Sequence, residues 1–84
     1  MLLTYFVVQS FNFTPRGAVT AGKAVEVQDA EHALRLAEKL AGCSAGVVAF
    51  SRKGDPSSGE FDDAVILYAN GIVPLLETEV SMAS

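Results

Sequence analysis

Only one stretch of this chain, Asp29 to Gly42 (D-A-E-H-A-L-R-L-A-E-K-L-A-G), carries helical periodicity, and the segments on both sides of it read as strand. Any fold it forms has to lay a lone helix against a sheet. Ala30, Ala33, Leu34, Ala37, Leu40 and Ala41 recur at the spacing of one helix face, and Leu36 widens the stripe at one edge. Glu31, His32, Arg35, Glu38 and Lys39 take the other side. The ends are specified locally. Asp29 is placed to accept from the free amides of the first turn, Glu31 and Lys39 complement the dipole, and Gly42 permits a left-handed exit. Glu31 and Arg35, four apart with the acid first, add a few tenths of a kcal/mol. Alanines along the buried stripe let the helix lie close to its sheet.

Leu2 to Phe13 is a long strand that is apolar on both faces, with Leu2, Phe6 and Val8 on one and Leu3, Tyr5, Val7, Phe11 and Phe13 on the other. Such a strand belongs in the middle of a sheet. Its start lacks a basic segment and is too short to span a bilayer, so it reads as a first strand and not as a signal. Thr14, Pro15, Arg16 and Gly17 form a turn. Ala18 to Val27 then returns with Val19, Ala21, Val25 and Val27 on one side and Thr20, Gly22 and Glu26 on the other. This more polar alternation suits an edge, with Lys23 guarding it against edge-to-edge pairing.

After the helix, Ala45 to Ser51 is a third strand, R-K-G-D-P-S-S-G-E is turn-rich, and Phe61 to Ala69 is a fourth strand that Asn70 and Gly71 end. The expected fold is α+β, with element order β-β-α-β-β. The helix returns the chain across the sheet, giving an antiparallel four-stranded sheet of order 2-1-3-4 with one helix on one face. A single domain covers residues 1–76, ending in the apolar arm Ile72, Val73, Leu75 and Leu76 around Pro74, and residues 77–84 read as a frayed tail.

The size of the helix then bears on function. A helix of this length is roughly 20 Å by 10 Å, whereas four eight-residue strands make a sheet of about 19 Å by 26 Å. More than half of one face stays uncovered. At 84 residues, with half of them hydrophobic and 19% charged, the chain holds more apolar surface than a monomer readily hides. A patch of that kind marks association. The expectation is a homodimer, sheet against sheet, with Leu3, Val7, Phe11, Val47, Val65, Leu67, Ile72, Leu75 and Leu76 on the shared face, or the alternate strand residues if the register sets the helix on the other side. The arm covers the sheet of its own subunit or that of its partner.

Charge and residue types exclude several functions. A net charge of −4, with no basic cluster beyond Arg52 and Lys53, leaves no surface for tracking phosphates, so no nucleic acid is expected, and no membrane. Cys43 is alone, so no internal disulfide forms, and the expected compartment is the cytoplasm. Asp55, Glu60, Asp62 and Asp63 crowd the hairpin turn, but Pro56 follows the first acid and the calcium-loop glycine is missing, so no metal is assigned. His32 lies on the polar side of the helix without a nucleophile beside it. Cys43 follows a helix C-terminus, where the dipole disfavours a thiolate, and reads as a packing residue. About 16 Å of helix separates the two, so they form no catalytic pair. No catalytic residue and no cofactor are assigned.

The runs S-A-G-V-V-A-F-S-R, G-D-P followed by G-E-F-D-D-A-V, T-Y-F-V-V-Q and A-E-H-A-x-R-L-A-E resemble a family of short uncharacterised alphaproteobacterial proteins, over Leu2 to Pro74. The resemblance implies a bacterial cytoplasmic protein. That family has no assigned activity, so it supplies no site residues. Two functions remain. One is a dimeric interaction module whose charged hairpin (Arg52, Lys53, Asp55, Glu60, Asp62, Asp63) contacts another protein. The alternative is a small-molecule-binding protein or small enzyme, with a pocket between sheet and arm lined by Tyr5, Phe6, Phe50 and Tyr68.

Overall fold

The structure, a computed structural model, describes residues 2–74. Leu75, Leu76 and the expected tail at 77–84 lie outside the described residues. The chain runs β1 (Leu3–Phe13), β2 (Val19–Val27), α1 (Ala30–Ala41), β3 (Gly46–Asp55), β4 (Glu60–Phe61) and β5 (Val65–Gly71). It is the expected α+β arrangement, an antiparallel sheet in the order β2-β1-β3-β4, with β5 also pairing β3.

The helix begins where its sequence says it should. Asp29 Oδ1 accepts from the His32 amide at 2.7 Å, and Glu31 and Arg35 meet at 3.4 Å on the exposed side. Its exit differs from expectation. Gly42 is right-handed (φ −76°, ψ −12°), because the Cys43 amide closes a tight turn on the Leu40 carbonyl at 3.0 Å. Ala33 and Ala37 are fully buried, Leu36, Leu40 and Ala41 pack beside them, and Leu34 sits at the margin.

The third and fourth strands were expected to flank a long turn. Instead β3 runs on through Arg52, Lys53 and Gly54, which pair with Tyr5, Thr4 and Leu3. The long first strand offers these residues a ladder, and ladder bonds outweigh their turn-prone composition. The turn shrinks to four residues, with the Ser58 and Gly59 amides donating to the Asp55 carbonyl and Gly59 at φ +77°. The expected fourth strand is split in two. β4 pairs only with Gly54 and Asp55, the chain leaves the ladder at residues 62–64, and β5 re-enters beside Ser51. Asn70 and Gly71 do not end the strand but pair with Val47 and Gly46.

Two register shifts redistribute the side chains. Between Gln9 and Phe11, β2 holds an extra residue, so Val25 and Val27 share the side of Val8 and Phe6 while Ala21 and Val19 share that of Phe11 and Phe13. The single apolar side expected for β2 is thus divided between the two faces. A second shift, between Ala49 and Phe50, places the consecutive Leu67 and Tyr68 of β5 on the same side.

The core therefore has two parts. Beneath α1, Val8, Val47 and Ala49 pack on Ala33 and Ala37, with Phe6, Val27, Leu67 and Tyr68 around them. On the opposite face, Phe11, Val48 and Val73 form a smaller cluster joined by Val19, Phe50 and Ile66. Val47 and Leu67 were expected on the free face. They lie under the helix, since Val47 falls in phase with Ala49 and the β5 shift turns Leu67 inward.

Candidate functional site

The face opposite α1 is only partly closed. At one end the chain beyond β5 folds back, the Ile72 amide donates to the Ala45 carbonyl at 3.0 Å, and Val73 is 4% exposed against Phe11 and Val48. The arm thus seals this end within its own subunit as far as Val73. Gly46 makes that possible, because a side chain there would run into the Ile72 backbone. Ile72 itself stays 41% exposed.

The other end is open. Phe61, on the two-residue strand β4, stands opposite Gly54 of β3, and its ring occupies the space that a Gly54 side chain would need. Having no Cβ at Gly54 lets an aromatic ring cross the strand and lie beside Tyr5, with centroids 6.1 Å apart and planes at 45°. Arg52 is the direct partner of Tyr5 on β3. Its Nε donates to the Asp62 carbonyl at 3.0 Å, and its guanidinium carbon lies 5.8 Å from the Phe61 ring centre. Val7 and Phe50, paired across β1 and β3, supply the floor. Tyr5, Val7, Phe50, Arg52 and Phe61 line a shallow open groove of about 410 Å³. It is an apolar trough with one anchored cation at its margin.

The expected pocket residues do not come together. Tyr5 and Phe50 line this groove, whereas Phe6 and Tyr68 pack on the helix side of the sheet. Strand alternation separates Tyr5 from Phe6, and the β5 shift turns Tyr68 toward α1. Among the expected dimer-face residues, Val7 and Phe11 belong to the open face, as does Leu3, which is in phase with them and 40% exposed. Val65 is exposed beside Ser51, in phase with the helix side.

Of the hairpin carboxylates, that of Asp55 is used in building the turn. Asp55 Oδ1 accepts from the Ser57 hydroxyl at 2.6 Å and the Ser57 amide at 2.9 Å, and these bonds, the hydroxyl's foremost, hold its carboxyl below the ordinary carboxylate value. The Asp62 amide donates to the Lys53 carbonyl at 2.8 Å. Lys53, Glu60, Asp62 and Asp63 are exposed. No group of three or more His, Cys, Asp or Glu among the described residues is arranged to hold a metal ion. His32 shares a shallow depression on the outer helix surface with Arg35, Leu36 and Lys39, where no nucleophile stands beside it. Cys43, expected to pack, is exposed, because the tight turn after α1 points it outward with Sγ 3.6 Å from the Leu40 carbonyl.

Sequence reasoning missed the Gly54–Phe61 relation. The signal was present: the two residues flank the D-P-S-S-G-E turn at the spacing of a hairpin pair. Comparison with protein-family models, with curated proteins and with solved structures finds no match. No helix among the described residues is long and apolar enough to cross a membrane.

Proposed function

We propose that this chain is a non-enzymatic interaction module that acts as a homodimer, two copies meeting through the sheet face that α1 leaves uncovered. One observation carries the reading: the open end of that face is aromatic and aliphatic. Phe61 and Leu3 are 44% and 40% exposed, beside the half-buried Tyr5, Val7 and Phe50. Contiguous apolar surface of this kind is more characteristic of an interface than of a surface kept in water.

The sheet edges support face-to-face meeting over edge-to-edge pairing. β2 carries its extra residue and Lys23 on one edge, and the other edge is broken between β4 and β5. In this reading the charged hairpin, from Arg52 to Asp63, forms the rim that contacts a further protein. The exposed unpaired thiol of Cys43 suits a reducing compartment, the bacterial cytoplasm, and the kinship is with the alphaproteobacterial family that the sequence resembles.

Sedimentation velocity from micromolar to millimolar concentration tests the dimer. A concentration-dependent dimer that Val7→Lys abolishes, with the fold retained, supports it. A wild-type monomer throughout removes it.

One observation favours a second reading, in which the chain binds a small molecule: the guanidinium of Arg52 borders an apolar groove, a combination suited to an aromatic carboxylate. Titration with benzoate followed by NMR tests this. Shifts confined to Tyr5, Val7, Phe50, Arg52 and Phe61 would favour it, and unshifted resonances would discard it.

A further inference from the structure

Among the described residues paired in the strand ladders, the open face carries charge at two positions. Glu26 stands directly opposite Val7 on β2, and Arg52 directly opposite Tyr5 on β3. Directly paired residues share a face, so both belong to the side of the groove. The rows around them hold Ala24, Gln9, Val48 and Ala69, then Val7, Phe50 and Ile66, none of them charged. Glu26 and Arg52 sit two strands apart and offset by two residues, an α-carbon separation of about 12 Å at standard sheet spacings. Within one copy they do not pair.

Covering this face takes both charges out of water. A desolvated charge without a counter-charge costs far more than its neighbours return, so the covering surface has to bring an acid to Arg52 and a base to Glu26. A second copy of this chain brings both. A twofold interface is self-complementary, so if Glu26 of one copy meets Arg52 of the other, the reverse pair forms at once. The axis that exchanges the two positions passes over β1 between Tyr5 and Val7, perpendicular to the line that joins the charges. On the same spacings, this sets the strands of the two copies at roughly 70° to one another, nearer to orthogonal than to aligned sheet packing.

We infer that Glu26 of one copy pairs with Arg52 of the other, and that these two symmetry-related bridges set the register and crossing angle of the dimer. The inference rests on the homodimer reading above. Arg52 is suited to the part, because its Nε–H is held by the Asp62 carbonyl and its guanidinium carbon lies 5.8 Å from the Phe61 ring centre, while its terminal nitrogens have no bond to another described residue.

The test is charge complementation in solution. Glu26→Arg and Arg52→Glu are made separately, their fold is checked by circular dichroism and thermal melting, and self-association is measured by sedimentation. Each alone places like charges together and is expected to dimerise at least roughly tenfold more weakly than wild type. Mixed in equal amounts, they restore both bridges with reversed sign at one site, and a heterodimer of near wild-type affinity is expected.

Single variants that dimerise like wild type, or a mixture that stays monomeric, overturn the inference while leaving the dimer standing. A monomeric wild type overturns both and is seen before any variant is made. Should Arg52→Glu not fold, Glu26→Gln carries the test. The wild-type dimer is expected to weaken with added salt and the Glu26→Gln dimer to lose much of that dependence, whereas an unchanged salt slope overturns the pairing.

Discussion

The ring of Phe61 lies over the bare α-carbon of Gly54, its direct partner across the β3–β4 ladder, and from there reaches Tyr5 and Arg52. One missing side chain thus positions the aromatic wall of the groove. Gly54→Ala is expected to displace the ring and destabilise the protein by about 1–3 kcal/mol, the usual cost of forcing atoms into occupied space. In the Phe61→Ala background the same substitution is expected to cost much less. Urea denaturation of the two single variants and the double variant gives the coupling, and strictly additive costs would show that the ring and the glycine are independent.

Asp29 caps the start of α1 through a bond of 2.7 Å from the His32 amide. Asp29→Ala is expected to cost about 1 kcal/mol, and Asp29→Asn a small fraction of that, since either oxygen can accept the bond. Thermal melting of both variants checks the difference. Equal losses would assign the effect to charge at the helix dipole and not to capping.

Ala33 and Ala37 have no exposed surface and bring α1 into contact with Val8, Val47 and Ala49. Ala37→Leu is expected to lift the helix from the sheet at a cost of about 1–3 kcal/mol. Leu34→Ala, on a side chain 36% exposed at the margin, is expected to cost less than a buried leucine would. Chemical denaturation ranks the two, and the reverse order would place the helix on a different face.

Asp55 titrates below its ordinary value of 3.8 because the Ser57 hydroxyl and amide favour its charged form in the folded chain. A group whose folded value is depressed contributes stability above the unfolded value and loses it as the pH falls through the folded one. Wild type is therefore expected to lose stability below about pH 3.8 partly through this turn. Ser57→Ala, which removes the foremost cause, is expected to show a shallower acid limb. Melting temperatures of both proteins between neutral pH and pH 3 check this, and parallel curves would refute it.

The helix was legible because everything that specifies it is close in sequence. Asp29, Glu31, Lys39 and the alanine stripe act within a few turns, and the helix spans Ala30–Ala41 inside the stretch read from them. The strand order was legible for a related reason: a doubly apolar β1 has to be central, and a polar β2 suits an edge. The faces were not legible beyond the register shifts. Reading period two through β2 and β5 put Val19 and Val25 on one side and Leu67 on the free face, and a single extra residue in each strand undid it. Nothing within β2 or β5 alone marks such a residue, because it is defined only against the neighbouring strand.

By itself the sequence determined what acts over short distances: one capped amphipathic helix, strands on either side of it, and more apolar surface than that helix can cover. Tertiary structure alone decided which apolar residues face which way, how far β3 extends, and that Phe61 crosses Gly54 to stand beside Arg52 and Tyr5. The division has a physical cause. Capping and periodicity are free energies of neighbouring residues, whereas register and facing are settled by ladder bonds and packing between segments that meet only once the sheet has formed.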